Sequence, residues 1–429
     1  MPGVLLRAEI SIDRLSKSGQ GVGRLEGRSV FVDGALPSER VLVEIADGGK
    51  VPRGRLLEVL SPSANRRASP CALSERCGGC DWLHLGEEEQ RRAKLEIVLS
   101  ALEHLAGICR SEIQVLPTHV CRRQLAYRRR AVLHLRAGRL CLFGRRSHNS
   151  VPLDRCPAMV PRLSELLVPL GAKLARLEKE AVSVHLLAEG EAASFAVFLS
   201  GSVRPSQVEI CRRAVRELGL KGAALVPRSG TARLIGQPGL ADEAAPAPLR
   251  IRPDVFAQAN AEANAALRSA VVERLGVRRG ERILELHCGN GNLTFAIAAA
   301  GAEVLAVESS PSALQLARER GGEQAAAVRF IQGEASSVCE ALARESARFD
   351  GLLADPPRAG VPGIGSAAQK LGCKRVVYVS CDPAALARDA ENLKACGFAP
   401  EALQLIDMFP QTRHAEVVIA FARQAPRFG

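Results

Sequence analysis

Alternating apolar and polar residues fill positions 5 to 60 in short runs: AEISI, SVFVDG, RVLVEI and GRLLEVL. Glycine-rich turns such as SGQGVGRLEG separate them. A period of two turns one face of each run towards a core, and strands this short predict a small OB-like all-β barrel. From about Ser61 to Arg250 the pattern is mixed. EEEQRRAKLEIVLSALEHLAG sets Leu95, Val98, Leu99, Leu102 and Leu105 at helical spacing, which predicts an amphipathic helix. AVLHLRA and SFAVFLSG read as strands, and ADEAAPAPLR, rich in alanine and proline, reads as a linker. Beyond it, ERILEL, EVLAVES, VRFIQG, FDGLLADP and KRVVYVSCD read as strands with helical segments between them. LQLIDMFP and EVVIAFAR follow with only a short connection, which predicts a closing antiparallel pair. The chain is thus expected to hold a barrel (1–62), an α+β central region (63–250) and a doubly wound, Rossmann-like α/β domain (251–429).

A doubly wound sheet binds its ligands at the carboxyl ends of its strands, and the informative residues fall there. After the first strand, HCGNGNLT turns into a helix through Gly289 and Gly291. A dinucleotide fingerprint would place a third glycine where Thr294 stands. Glu308, seventeen residues after Gly291, is placed to accept hydrogen bonds from ribose hydroxyls. S-adenosylmethionine suits this pattern better than NAD, because it has no pyrophosphate to cradle. The plain alternative is an ordinary α/β turn with an exposed Glu308. Asp355 of ADPPRAG ends the fourth strand, where two prolines stiffen a lip over a planar substrate. Cys381 of VSCDP ends the fifth. A cysteine at a strand end is commonly a buried filler, but one at the mouth of the cleft holding Glu308 and Asp355 reads as a nucleophile. DMFPQTRHAEVV puts Glu416 at the entry to the last strand, with Asp407 and His414 nearby.

Charge and cysteines add partners. The net charge of +12 suggests a polyanion, although only nine of the 58 basic residues are lysine, a bias that coding composition also produces. CRRQLAYRRR is more specific: Arg122, Arg123, Arg128, Arg129 and Arg130 crowd Tyr127, as guanidinium forks on phosphates and a ring on a base would require. A solvated basic face is the competing reading. No apolar run approaches a membrane span and the amino terminus is no signal peptide, so a cytoplasmic, membrane-free monomer is expected. Thirteen cysteines in a reducing compartment point to ligands, a nucleophile or buried fillers rather than disulfides. Three of them, Cys71, Cys77 and Cys80, fall within CALSERCGGC.

Taken in order, these motifs resemble the RNA uracil-5-methyltransferase family, in particular its iron–sulfur-containing 23S rRNA branch. The resemblance spans nearly the whole chain. GQGVGR and VFVDGALPSERV resemble the TRAM RNA-binding barrel; CALSERCGGC with Cys156 of DRCPAM resembles four cluster ligands; FAQAN, LHCGNGNLT, DPPRAG, VSCDP and DMFPQTRHAE follow in the family's order. The resemblance implies a [4Fe-4S] cluster on Cys71, Cys77, Cys80 and Cys156, structural rather than redox, although four thiolates also suit zinc. It implies Cys381 as nucleophile, Glu416 as base, and S-adenosylmethionine contacts from Gln258, His287, Asn292, Glu308, Glu334 and Asp355. His287 stands where the family commonly has an aromatic ring, and Glu334 where it commonly has Asn or Asp.

The implied chemistry is coherent. Carbon 5 of uracil attacks a methyl sulfonium only after a thiolate has added at carbon 6, and a base must then remove the carbon 5 proton. The target base must leave its stack to reach such a cleft. Four rivals remain: an amino-methyltransferase, suggested by DPPR; a cytosine-5 enzyme, which would also use a cysteine; a tRNA-directed relative; and a non-catalytic, metal-stapled RNA-binding protein.

Overall fold

The computed structural model describes residues 5–46, 52–245, 249–319 and 326–424. The chain divides into two compact units. The first gathers Met1–Ile97, Phe143–Asn149 and Phe409–His414; the second gathers Val98–Leu142, Ser150–Met408 and Ala415–Gly429.

Five strands of the first unit close a barrel in the order β1-β2-β3-β5-β4: β1 (Leu5–Leu15), β2 (Gly21–Leu25), β3 (Arg28–Val32), β4 (Arg40–Ala46) and β5 (Arg53–Ser61). Ile10, Ile12, Val30, Val32, Val41, Val43 and Ile45 fill it, as the alternation requires. One strand lies inside the stretch read as a turn. β2 runs through GVGRL with Gly23 opposite Ile12, where a Cβ would strike the Ser11 carbonyl. Glycine there permits close backbone approach, not a bend.

Residues 409–414 complete this unit from the far end of the chain. Asp81 and Trp82 each donate their backbone N–H to the Gln411 carbonyl at 3.0 Å. Gln90 accepts the Gln411 N–H at 2.8 Å, and Arg67 reaches the Gln411 side chain at 2.7 Å. Arg413 pairs with Asp81 at 3.1 Å. The helix expected over these residues forms at Glu87–Ala106. Val98, Leu99 and Leu102 are buried, but Leu105 is 55% exposed and Lys94, on the face of Val98 and Leu102, is fully buried. Its ammonium donates to the Phe409 carbonyl at 2.9 Å. A helix-periodic pattern could not anticipate a partner 315 residues away.

Among the described residues, two large sheets and a two-stranded one build the second unit. The seven-stranded one has the order β13-β12-β11-β10-β7-β8-β9: β7 (Arg130–Arg136), β8 (Arg139–Phe143), β9 (Ser150–Pro152), β10 (Ala181–Glu189), β11 (Ala192–Leu199), β12 (Gly222–Val226) and β13 (Arg233–Gly236). Helices Pro161–Leu174 and Pro205–Glu217 pack against it. The linker ADEAAPAPLR lies partly outside the described residues; its flanks pair as a short hairpin, β14 (Leu240–Asp242) with β15 (Leu249–Ile251).

The eight-stranded sheet has the order β18-β17-β16-β19-β20-β22-β21-β6. Its strands are β6 (Gln114–Val115), β16 (Arg282–Leu286), β17 (Glu303–Glu308), β18 (Val328–Gln332), β19 (Gly351–Ala354), β20 (Arg375–Ser380), β21 (Phe398–Ile406) and β22 (Glu416–Arg423). The strands from β18 to β20 are parallel, and β22 runs antiparallel between β20 and β21. This reversal matters. The first residue of β22 comes to lie at the edge where the parallel strands end.

Candidate active site

Register places the reacting groups. Ser380 of β20 pairs with Val417 of β22, so Cys381 and Glu416, one residue further on each strand, come together at the sheet's carboxyl edge. Asp355 follows β19, the neighbour of β20, and its N–H reaches the Leu286 carbonyl at 3.4 Å. The loop after β20 is set by Ser380 and Asp382. Asp382 caps helix Pro383–Ala395, accepting from Ala384 and Ala385 at 2.9 and 3.0 Å, which leaves Cys381 on the turn between strand and helix.

The electrostatics of this edge are unusual. Glu416 is 4% exposed. Burial, and then the neighbouring Asp355 carboxylate, hold its pKa well above the usual carboxylate range. Burial also pushes Asp355 up to about 7. Cys381 is pushed up to about 11 by burial and by the charges of Glu416 and Asp355, with the Arg358 guanidinium pulling the other way. The thiol therefore rests protonated, and the carboxylate beside it is a stronger base than a solvated glutamate. Glu285, in the middle of β16, was not anticipated. Burial raises it to about 8, and Asp355 and Glu308 push the same way. The signal was present: a carboxylate inside the apolar run ILEL has no solvent face to occupy.

Of the candidate cofactor residues, His287, Asn292, Glu308, Glu334 and Asp355 lie at or just after the ends of these parallel strands. Gly289 and Gly291 have φ of 57° and 84°, and a Cβ on Gly291 would meet the Phe295 ring at 2.5 Å. His287 takes φ of 62° although it carries a side chain, a conformation that clusters at functional sites. Burial lowers its pKa against the pull of Glu308 and Glu334, so the ring is neutral and can stack. Glu308 accepts from the N–H of Gly289 at 3.0 Å and of Ser310 at 2.8 Å, holding the glycine turn against the next strand end. Glu334 is exposed before helix Ala335–Arg344, and its side chain makes no cap. Gln258 is buried, and its carbonyl accepts from Arg129 at 3.0 Å. The Asn292 amide pairs reciprocally with Asn264, at 2.8 and 2.9 Å.

The arginine cluster divides. Arg122 and Arg123 are exposed, as a phosphate grip requires. Tyr127 is 5% exposed and Arg129 only 3%, so neither offers a face to RNA. Arg129 is held by Asp242, through two 3.0 Å bonds, and by Glu189 at 2.7 Å. Carboxylates 113 and 60 residues away cannot be read from a local run of arginines.

Cys71, Cys77 and Cys80 belong to the first unit and Cys156 to the second. All four are half-buried, and no disulfide forms among the described residues. The Cys77–Cys80 loop suits thiolates. Gly79 donates its N–H to Cys77 Sγ at 3.4 Å, and Arg145 donates to the Cys77 and Cys80 carbonyls at 3.5 and 3.0 Å. A Cβ at Gly78 would sit 2.9 Å from the Phe143 carbonyl, so only glycine fits. Among the described residues no group of three or more His, Cys, Asp or Glu side chains is already gathered as a metal cage. No described helix is long and apolar enough to cross a membrane.

Residues 247–424 match the tRNA (uracil-5-)-methyltransferase family and residues 7–49 the TRAM domain. The chain is 33% identical to the 23S rRNA (uracil(1939)-C(5))-methyltransferase RlmD of Vibrio cholerae, over 97% of this chain and 96% of that protein. It is also 33% identical to the enzyme of that name from Alkalilimnicola ehrlichii, over 97% of each. In fold it resembles the Pyrococcus abyssi tRNA (uracil-54, C5)-methyltransferase, solved in complex with S-adenosyl-L-homocysteine: TM-score 0.71, 21% identity, 97% of this chain and all of that one. With this identity sustained along almost its full length, the chain belongs to the RNA uracil-5-methyltransferase family.

Proposed function

We propose that the protein transfers a methyl group from S-adenosylmethionine to carbon 5 of a uridine in 23S ribosomal RNA, in the cytoplasm and as a monomer, with the base turned out of its stack. The observation that carries this reading is the register that sets Cys381 beside the buried carboxylates Glu416 and Asp355. The rRNA assignment draws on the names of the full-length relatives. Gln258, His287, Asn292, Glu308, Glu334 and Asp355 would line the cofactor. When bound, it supplies an electrophilic methyl sulfonium.

Cys381 passes its proton to the neighbouring Asp355 carboxylate and its sulfur bonds to carbon 6 of the ring, whose electrons move into an enolate. Carbon 5 is then nucleophilic enough to take the methyl group, and the donor, keeping the electron pair of the broken carbon–sulfur bond, would depart as a neutral thioether. Glu416 removes the carbon 5 proton; the enolate re-forms, the carbon–sulfur bond breaks, and Cys381 leaves as a thiolate. A carboxylate with a raised pKa suits this step, because an ordinary one is too weakly basic.

We assign Cys71, Cys77, Cys80 and Cys156 as ligands of a structural [4Fe-4S] cluster, since methyl transfer to uracil moves no net electrons. Anaerobically purified protein should be brown and carry about four irons per chain. Colourless protein with one stoichiometric zinc would reject the cluster.

The substrate is tested by mapping 5-methyluridine in RNA from cells lacking the gene. Loss of a mark from 23S rRNA, restored by the gene, supports the proposal. Loss from tRNA alone would move the substrate, and no loss would refute the activity.

A further inference from the structure

One buried guanidinium touches the Gln258 segment of the proposed cofactor site and is linked through Asp242 to the neighbours of Asn292. Arg129, just before β7, donates from Nε to the Gln258 carbonyl at 3.0 Å, and its N–H reaches the Ala259 carbonyl at 2.8 Å. Its fork takes Asp242 bidentately and Glu189 at 2.7 Å. On its other side Asp242 receives Arg268 Nη1 at 3.4 Å and Asn264 Nδ2 at 3.4 Å. Those two groups converge on the Asn292 Oδ1, each at 2.9 Å. Arg268 also holds the Ala244 carbonyl at 2.5 Å. Residues from the segment before β7, from β10, β14, helix Ala261–Leu275 and the loop after β16 therefore meet around a cluster of two arginines and two carboxylates.

The cluster is neutral in sum and has no room for a phosphate. Arg129, Arg268 and Asp242 are 3%, 4% and 0% exposed at their side chains. Burial works against the charge on Arg129, and its bonds to Asp242 outweigh it, so both partners stay ionised. Buried ion clusters contribute little net stability compared with apolar packing, but they fix an arrangement, because each member must be satisfied in one geometry.

We propose that Arg129, acting through Asp242 and Arg268, is a positioning residue for the S-adenosyl cofactor, holding Gln258 and Asn292 at the spacing the cofactor requires. The inference rests on the reading of Gln258 and Asn292 as cofactor contacts. It reassigns Arg129 from the RNA surface to the methyl-donor site.

Calorimetric titration of S-adenosylhomocysteine into the full-length protein tests it, with RNA affinity measured in parallel. Asn264→Ala removes one half of the amide pair without touching a charge. The double variant Arg129→Gln with Asp242→Asn keeps the cluster neutral. Each should weaken S-adenosylhomocysteine at least ~10-fold and raise KM for S-adenosylmethionine to match, with RNA affinity within about twofold of wild type. Arg122→Ala with Arg123→Ala should do the reverse, weakening RNA and flattening its salt dependence while leaving S-adenosylhomocysteine affinity unchanged. If the double variant loses RNA affinity and keeps the cofactor, Arg129 belongs to the RNA grip. If it does not fold, Asn264→Ala decides alone, and unaltered S-adenosylhomocysteine affinity there overturns the proposal. Wild type that binds no S-adenosylhomocysteine would remove the cofactor reading itself, a distinct failure.

Discussion

Cys381→Ala should bind RNA and S-adenosylmethionine yet form no bond to uracil. Loss of a nucleophile that makes and breaks the covalent intermediate should lower turnover by ~10⁴-fold or more, with both dissociation constants near those of wild type. The sharper measurement uses RNA carrying 5-fluorouridine. Fluorine cannot be abstracted as a proton, so wild type should stall as a protein–RNA species that survives a denaturing gel. Cys381→Ala should give no such band. An adduct from that variant, or continued methylation, would place the nucleophile elsewhere.

Glu416→Gln should fail at the opposite end of the reaction. The amide keeps the shape of the side chain and cannot accept the carbon 5 proton, so each protein should methylate once and then hold its product covalently. Steady-state turnover should drop by roughly 10²–10⁴-fold while the gel-stable adduct accumulates on unmodified RNA. The substitution also removes a buried negative charge beside Cys381, whose pKa Glu416 helps to raise. Adduct formation should therefore begin at lower pH than in wild type, which separates the first step from the last. Normal turnover by Glu416→Gln would shift the base to Asp355 or His414.

The sequence spoke most clearly where local pattern and local structure coincide. The alternating runs of the barrel and the βα alternation after residue 250 fold as read, because burial of one face fixes both register and spacing. The motifs at strand ends converge for the same reason: parallel strands all end on one edge. What escaped depended on distant partners. Gly21–Leu25 looks like a turn until Ser11 is seen to approach its backbone. Lys94 breaks an apolar helix face because a carbonyl at Phe409 waits for it. Asp242 sat unnoticed in an alanine–proline stretch, and Arg129 among arginines read as an RNA grip, although the two bind each other. A charge pattern along a chain does not reveal which charges have already been neutralised by folding.

The discontinuity of the first unit sets an order of events during synthesis. Gln90 and Gln411 share hydrogen bonds across 321 residues, and a ribosome adding ~5–20 residues per second needs roughly 16–64 s to span that interval. The barrel can close early, since its strands lie within residues 5 to 61. The surroundings of Gln90 and Lys94 cannot. Until Phe409–His414 emerges, the nascent chain presents an unfinished polar socket beside Trp82, which makes a segment synthesised 321 residues after Gln90 a checkpoint on that socket.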